Sequence, residues 1–363
     1  MSLLSRAEGD AVPSKQLKNF PGNPLLSLGL SLGLSTGLLV GLLGYSPVAS
    51  TQEQPPEFVW FTLENDFFVG DDAGYTNGTE IGFGKGPFSD FNQDNLPDWL
   101  HWLAKDLYVS TLKNKQRGVS HMFFQRIQTP ENISSKKLIA DDLPYAGLLA
   151  WQGTLYAWDG QVAEQLSLTL GAVGPLSFAE ESQALMHGLL GAQEPNGWDN
   201  QIENELVFNV EAQRVQNLYR SDNRGCQFDV LGLYGASLGN LKSATQAGFA
   251  LRWGSALQHS FPVFSLDANR KAYSLSASAG QDFIYFFVGG NLGLVFNNIF
   301  IEGNTFKNSH YAPLEPVQNQ MSTGVVWKFG ALAYVLQLSS MSSRTAFTAE
   351  RDAFGAVSFT YRH

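Results

Sequence analysis

Alternation with a period of two residues recurs along the chain and limits the folds that it can adopt. In the stretch 165–173, leucines alternate with serine, threonine and glycine, and similar patterns return at 201–211, 332–339 and 357–362. Successive side chains of a β-strand point to opposite faces, so each of these strands has one apolar and one polar face. The chain is therefore predicted to be all-β.

The composition of the polar faces favours a membrane barrel over a sandwich. These faces carry Ser, Thr, Gly, Gln and Glu, as the interior of a barrel does, whereas the solvent face of a sandwich usually carries Lys and Glu. Only 15% of the 363 residues are charged, and 36 are glycine. The net charge of −10 argues against a nucleic-acid partner. The single cysteine, Cys226, excludes an intramolecular disulfide.

We predict twelve antiparallel strands closed into a transmembrane β-barrel, with short helices in loops. An even number of strands is typical of bacterial outer-membrane barrels. The predicted strands cover 57–64, 77–86, 118–127, 147–157, 164–174, 201–213, 226–238, 243–256, 283–302, 319–328, 331–342 and 353–362. The stretch 271–281 is either a thirteenth strand or an extension into the loop before residue 283. Apolar spacing predicts helices over 95–108 and 182–190, of which the first packs on the barrel rim or lies in the membrane interface.

Two regions divide the chain, a targeting segment over 1–50 and the barrel over 51–363. Two lysines precede a charge-free apolar stretch at 24–45, and small residues follow it, which is the order of a secretory signal. We expect cleavage near Ser50. The alternative is a retained anchor, because the apolar stretch is long enough to span a bilayer.

Strand parity places three candidate segments at one end of the barrel. If the first strand starts on the periplasmic side, then 65–76, 128–146 and 175–200 are extracellular, and 87–117 and 158–163 are periplasmic. Long loops usually lie outside and short turns inside, a rule that 87–117 breaks. We expect the active site at the extracellular rim.

The first candidate segment is rich in oxygen donors. Glu64, Asn65 and Asp66 precede Asp71 and Asp72 in a glycine-rich stretch. Carboxylate, amide and hydroxyl oxygens are the ligands that Ca²⁺ prefers, although the spacing is not that of an EF-hand. The same residue types also form simple turns, and composition alone favours that interpretation.

The second segment, DDLPYAG at 141–147, has the proline and glycine of a structural turn that leads into a strand. Lys136 and Lys137 stand just before it. They could bind the phosphates of a glycolipid as point charges, or they could be solvated loop residues.

The third segment carries His187, the one histidine in a loop shared with the other candidates. A lone histidine is more often structural, but histidine also serves as a general base near neutral pH. The one G-x-S-x-G pattern after the targeting segment, at 235–239, ends a predicted strand and leads into another strand rather than a helix, so it is not a nucleophile elbow. Metal-assisted attack by water therefore fits better than a serine triad.

Three blocks in this order, LENDFFVGDDAGYTNG, DDLPYAG and HGLLGAQEPNGWDNQIENE, resemble the outer-membrane lipid A 3′-O-deacylase family. The resemblance runs from about residue 57 to the C-terminus and is strongest over 60–211. It implies a twelve-stranded barrel whose site lies between the wall and an extracellular-loop helix. It also implies Ca²⁺-dependent hydrolysis of the 3′-linked acyloxyacyl ester of lipid A.

The family's catalytic residues fall on Asn65, Asp66, Thr76 and His187. The resemblance implies that Asn65 and Asp66 hold Ca²⁺, which polarises the ester carbonyl. His187 would take a proton from the attacking water, and Thr76 would orient a ligand or that water.

A basic residue of the family's second extracellular loop corresponds loosely to Lys136 or Lys137, as a substrate-binding residue. The 87–117 connection has no clear counterpart. The implied protein is a monomer in the outer membrane that acts on lipid A or lipopolysaccharide in the outer leaflet, without nucleic acid.

Two other functions are compatible with the sequence. A non-catalytic barrel, porin or adhesin, would need no role for His187. A phospholipase-type esterase of the outer membrane would use a serine nucleophile beside a histidine.

Overall fold

Twelve strands form one closed antiparallel barrel, as predicted. The computed structural model describes residues 57–66, 74–221, 225–260, 265 and 282–362. Neighbours in the barrel follow chain order, and the first strand pairs with the twelfth to close it. The strands are β1 (Glu57–Asn65), β2 (Gly74–Phe88), β3 (Gln116–Thr129), β4 (Ala146–Trp158), β5 (Val162–Val173), β6 (Glu205–Arg220), β7 (Gln227–Gly239), β8 (Lys242–Gly254), β9 (Phe283–Asn298), β10 (Val317–Phe329), β11 (Leu332–Met341) and β12 (Asp352–Arg362).

Within the described residues, four short α-helices lie in the connections. They are α1 (Asp98–Ala104), α2 (Tyr108–Thr111), α3 (Ala179–Leu190) and α4 (Ile299–Glu302). The helix predicted over 95–108 is broken into α1 and α2, because Leu107 between them adopts an extended backbone. Within the described part of the chain, no helix is both long and apolar enough to cross a membrane.

Three predicted strand boundaries were wrong by four residues or more. The sixth strand ends at Arg220 rather than at 213, because its last residues continue to pair with β7. The sixth strand begins at Glu205 rather than at 201, because Trp198–Asn200 forms a 3₁₀ turn and the following residues belong to the loop. The ninth ends at Asn298 rather than at 302, because the Asn298 side chain accepts a hydrogen bond from the backbone N–H of Phe300 and caps α4. The stretch 271–281 and the targeting segment lie outside the described residues.

A cavity of about 220 Å³ inside the barrel identifies the inward face of each strand. Met122 and Phe124 of β3 and Gln152 of β4 line it. Since side chains alternate, the residues between these face outward. Large apolar side chains such as Phe249 and Leu338 are exposed on the outer face, as a lipid-facing wall requires.

The two ends of the barrel differ in their connections. At the end where β1 finishes lie the segments that contain α3 and α4; we call this the α3 end. At the other end lie α1 and α2; we call this the α1 end. This arrangement confirms the parity argument, in that 65–76, 128–146 and 175–200 share one end.

Side chains fill the lumen towards the α1 end. Inward-facing aromatic residues pack together there, and Arg252 forms a fully buried ion pair with Asp229 at 2.7 Å. The aromatic residues are Phe58, Trp60, Tyr156, Trp158, Phe283, Tyr285 and Phe287. The described side chains therefore leave a cavity that is blocked towards the α1 end rather than an open pore.

Candidate active site

Helix α3 packs on the outside of the barrel wall, over β3 and β4. Ala179 at its start forms a buried cluster with Ile127, an outward-facing residue of β3. A Cβ on Gly147 of β4 would lie 2.3 Å from the Cβ of Ala179, so only glycine permits this close approach. The Gln125 side-chain amide also donates to the carbonyl oxygen of Ser177, just before the helix, at 2.7 Å.

The polarity of α3 is inverted relative to a helix on a soluble protein. Gln183 and His187, one turn apart, are only 1% and 7% exposed. Leu185 and Leu189, also one turn apart, are each 64% exposed. Residues four apart share a helix face. The polar face therefore points to the barrel wall, and the apolar face points away from the protein.

The ring of His187 is held by a backbone carbonyl. Its Nδ1 lies 2.5 Å from the carbonyl oxygen of Gln193. A carbonyl oxygen can only accept, so Nδ1 carries the proton and the neutral ring keeps a lone pair on Nε2. The turn that brings Gln193 back to the ring starts at Gly191, whose φ of 67° lies in the region that glycine favours.

Gln183 connects α3 to the rest of the loop. Its Oε1 accepts a 2.9 Å hydrogen bond from the indole N–H of Trp198. The Trp198 ring packs against Tyr145 with centroids 4.8 Å apart, and the Tyr145 hydroxyl donates to the carbonyl oxygen of Ile133. Burial raises the pKa of Tyr145 to about 12, so this hydroxyl remains a donor at neutral pH. The contacts fix α3 against the β3–β4 loop.

Strand register brings Asn65 to the same outer wall. Glu64 lines the cavity, so Asn65 faces outward, and it pairs with Asn77 of β2. Asn77 pairs in turn with Ile127, and Ile127 with Gly147. One row across four neighbouring strands thus runs from Asn65 to the position covered by the start of α3.

A family model for outer membrane protein LpxR matches residues 35–363. The chain belongs to the LpxR family. The resemblance stated from the three sequence blocks is confirmed. The family and the closed barrel together indicate an outer-membrane protein.

A solved structure agrees with this assignment at the level of the fold. LpxR from Salmonella typhimurium matches with a TM-score of 0.69 and 15% identity, over 84% of this chain and 99% of that chain. The β domain of the Bordetella autotransporter Brka has a TM-score of 0.37 and 9% identity, over 85% of this chain and 98% of that chain. The similarity to Salmonella LpxR supports the architecture alone. The TM-score of the Brka domain is too low to support a conclusion about this chain. No curated protein matches the sequence.

The residues predicted from the LpxR-type blocks occupy the α3 end. Asn65 ends β1, and Asp66 follows it as a buried residue, 2% exposed. Thr76 lies in β2 at a register shift between Tyr75 and Asn77, and its side chain lies outside the described residues. His187 lies on the buried face of α3. Their catalytic roles stay predictions.

Lys136 and Lys137 are exposed in the β3–β4 loop, at the α3 end. The carbonyl oxygen of Lys136 accepts from the Asn200 side chain at 3.1 Å, and that of Lys137 accepts from the Ser135 hydroxyl. These bonds fix the backbone and leave the side chains in solvent. A role in substrate binding stays a prediction.

The oxygen donors near Asn65 fit a hard cation. Asn77 contributes an amide oxygen, Oδ1, that is buried without a hydrogen-bond partner within the described parts of the chain. Over the same residues, no three His, Cys, Asp or Glu side chains form a group able to hold a metal. Asp71 and Asp72 of the predicted calcium loop lie outside the described residues. A calcium site would therefore combine Asp66 with the amide oxygens of Asn65 and Asn77.

The sequence reasoning gave no role to Gln183 or Trp198, and it included Asn77 only among the oxygen donors of the first candidate segment. Gln183 precedes His187 by one helical turn, and this spacing was a usable signal. Trp198 lies in the third quoted block, but its partner on α3 is a long-range contact. The buried position of Asn77 depends on register between strands, which no local pattern reveals.

Proposed function

We propose that the chain is a calcium-dependent outer-membrane esterase that removes the 3′-linked acyloxyacyl chain from lipid A. The main support is the inverted polarity of helix α3. This helix buries His187 on its face towards the barrel wall and exposes leucines on its other side. Membership of the LpxR family supports the substrate class. None of the proposed catalytic residues lines the cavity in the lumen, which supports a site outside the barrel wall.

His187 is the proposed general base. With Nδ1–H donated to Gln193, Nε2 accepts a proton from water. The water oxygen attacks the ester carbonyl carbon, and the ester C–O bond then breaks. His187 returns the proton to the leaving oxygen, which becomes a hydroxyl of lipid A. The acyl chain departs as a carboxylic acid, which then releases its remaining proton to solvent.

Asn65, Asp66 and Asn77 are the proposed oxygen donors around the metal. When bound, Ca²⁺ would polarise the ester carbonyl and stabilise the oxyanion. Thr76, beside Asn77, would orient a ligand or the attacking water. Lys136 and Lys137 would bind the phosphates of the glycolipid.

The lipid-facing leucines of α3 support lateral entry of the substrate. Leu185 and Leu189 continue the apolar outer wall, so acyl chains could reach the His187 side without leaving the bilayer. We propose that the α3 end faces outside, where lipid A resides, and that a monomer suffices. The segment 1–50 would be the export signal.

The two alternative functions receive less support. A porin needs an open lumen, whereas the described residues fill it towards the α1 end. A serine esterase needs a hydroxyl at Nε2 of the histidine, whereas among the described residues the ring of His187 has one hydrogen-bond partner, the carbonyl oxygen of Gln193 at Nδ1.

Mass spectrometry of lipid A incubated with the refolded protein tests the proposal. We expect loss of the 3′-linked acyloxyacyl group in Ca²⁺ and no loss in excess chelator, with insensitivity to serine-directed reagents. Unchanged lipid A in Ca²⁺ would overturn the proposed activity.

A further inference from the structure

The connection between β2 and β3 covers the outer wall of the barrel at the α1 end. Ala104 of α1 and Val109 of α2 belong to one buried cluster with Val119, Leu155 and Ala157. Val119, Leu155 and Ala157 face outward. Side chains alternate along a strand, and the cavity-lining residues of β3 and β4 occupy the other set of alternating positions. The segment 89–115 thus lies on the side of the barrel where lipid would otherwise be.

Arg117 of β3 fastens both ends of this segment. It is only 4% exposed, and its Nη1 donates to the carbonyl oxygen of Ser89 at 2.7 Å. Its Nη2 donates to the carbonyl oxygens of Ser110 at 3.1 Å and Leu112 at 2.6 Å. One side chain of the wall therefore satisfies backbone groups before α1 and after α2, which fixes their position on the barrel.

The wall beneath the segment is unsuited to direct contact with lipid. Glu164 of β5 faces outward and forms an ion pair with Arg214 of β6 at 2.5 Å. Tyr108 of α2 lies close to Glu164. Burial, and then the charge of Glu164, raise the pKa of the Tyr108 hydroxyl to about 12. Because a carboxylate facing hydrocarbon is costly, the cover provided by α2 removes a penalty that the bare wall would carry.

The free side of the segment is strongly aromatic. Trp102 is 68% exposed, Trp99 and Tyr108 are also exposed, and Leu103 extends the same surface. Trp99 contacts the outward-facing Trp151 of β4 with ring centroids 6.4 Å apart. The segment's surface is therefore continuous with the lipid-facing wall.

The rest of the α1 end carries an aromatic band that β3 to β5 lack. Exposed outward-facing aromatic residues at this end include Tyr219, Phe228, Trp253, Phe286, Trp327 and Phe329. Tyr334, which is half-buried, packs beside Trp327. The outward positions at the same end of β3 to β5 are instead Arg117, Val119, Leu155, Ala157, Val162, Glu164 and Leu166. Aromatic girdles mark the two bilayer interfaces of membrane barrels.

We propose that the segment 89–115 is an in-plane membrane element whose aromatic face seats in the phospholipid interface at the α1 end. It completes the girdle across the three strands that lack it. The partner is the boundary between headgroups and acyl chains of that leaflet, where tryptophan and tyrosine prefer to lie. The proposal depends on the membrane barrel and is independent of the enzymatic activity.

Nitroxide accessibility in vesicles of phosphatidylethanolamine and phosphatidylglycerol tests the proposal. The exposed Cys226 is first replaced, Cys226→Ser, and one label is then introduced by Trp102→Cys. Asp94→Cys, exposed on a polar turn of the same segment, is the aqueous control, and Phe249→Cys on the barrel wall is the lipid control. Because all three side chains are exposed, these substitutions leave core packing intact, which heat-modifiable migration on gels verifies.

We expect collisions with oxygen to exceed those with an aqueous nickel chelate at residue 102, with a ratio near that of the lipid control. A ratio equal to that of the aqueous control would overturn the proposal. Shielding from both reagents would also overturn it, because it would indicate a protein partner instead of lipid.

Discussion

Two helical segments cover the same two strands at opposite ends, and their contacts differ in kind. Helix α3 presents Gln183 and His187 to the outer wall of β3 and β4. Helix α1 presents Ala104 to the same wall and points Trp99 and Trp102 away from it. A polar buried face requires specific hydrogen bonds, whereas an apolar one requires only a shape that fits. This difference agrees with the chemistry proposed for the α3 end and the membrane attachment proposed for the α1 end.

The largest expected effect lies beside β1. Asp66→Ala removes both a charge and a proposed ligand, so we expect activity to be abolished at every Ca²⁺ concentration. Asp66→Asn keeps the shape, and we expect it to recover part of the activity at high Ca²⁺. Lipid A cleavage across a Ca²⁺ titration measures both, and full activity of Asp66→Ala in chelator would refute the role of the metal.

The next effect concerns His187. In His187→Asn the side-chain amide can still donate to the carbonyl of Gln193, but the lone pair of Nε2 is lost. We expect turnover to fall by about 10²–10⁴-fold, the usual contribution of a positioned base. Heat-modifiable migration and Ca²⁺ binding should stay near those of wild type.

Five histidines serve as controls for this variant. Substitution of His101, His121, His259, His310 or His363 should cost little activity. A folded His187→Asn protein that releases acyl chains at a near-native rate would exclude general-base catalysis. Weakened folding with full activity per folded molecule would assign His187 a structural role.

A smaller loss should follow from moving α3 without touching its polar face. Gly147→Val places a side chain where the Ala179 Cβ and the Ser177 hydroxyl now lie, so the start of the helix must shift. A displacement of this size can reduce the rate by about 10²-fold. Gly160→Val, at a glycine with no atom within 4 Å, is the matched control and should be neutral. Equal activities of the two variants would show that α3 does not position the reacting groups.

The smallest effect on activity is expected at the α1 end. Arg117→Met removes the hydrogen bonds that fasten the segment 89–115, and each carbonyl left unsatisfied costs about 1–3 kcal/mol. We expect faster proteolysis of this segment and a lower unfolding temperature, with lipid A cleavage near that of wild type. If lipid A cleavage by Arg117→Met fell as far as in Gly147→Val, the two ends of the barrel would not have the separate roles proposed for them.

The sequence was most informative where structure depends on local alternation. All twelve strands form where the two-residue alternation predicted them. Each strand of the wall has one face towards the lumen and one away from it, so the alternation is present in every strand separately. One boundary, the start of β6, failed because a long-range contact decides it. Trp198 is buried against Tyr145, which keeps the residues before β6 in the loop although they alternate.

The candidate site was predictable only in part. His187 and the Asn65-Asp66 pair could be named from ordered blocks, since each block is a continuous piece of chain. The position of α3 outside the wall could not be predicted, because it depends on a close contact between Gly147 and Ala179, which are distant in sequence. For the same reason, apolar spacing predicted a helix in 95–108 but not which side of it would remain exposed.

Closure of the barrel has a consequence for the timing of activity. Asn65 lies between Asn77 of β2 and Gly355 of β12, so both of its neighbours are in place only after the final strand has paired with the first. Before the barrel closes, while β12 is still unpaired, Asn65 therefore lacks its neighbour on β12. With the role proposed for Asn65, activity would begin only after β12 has paired with β1, in the membrane that contains the proposed substrate.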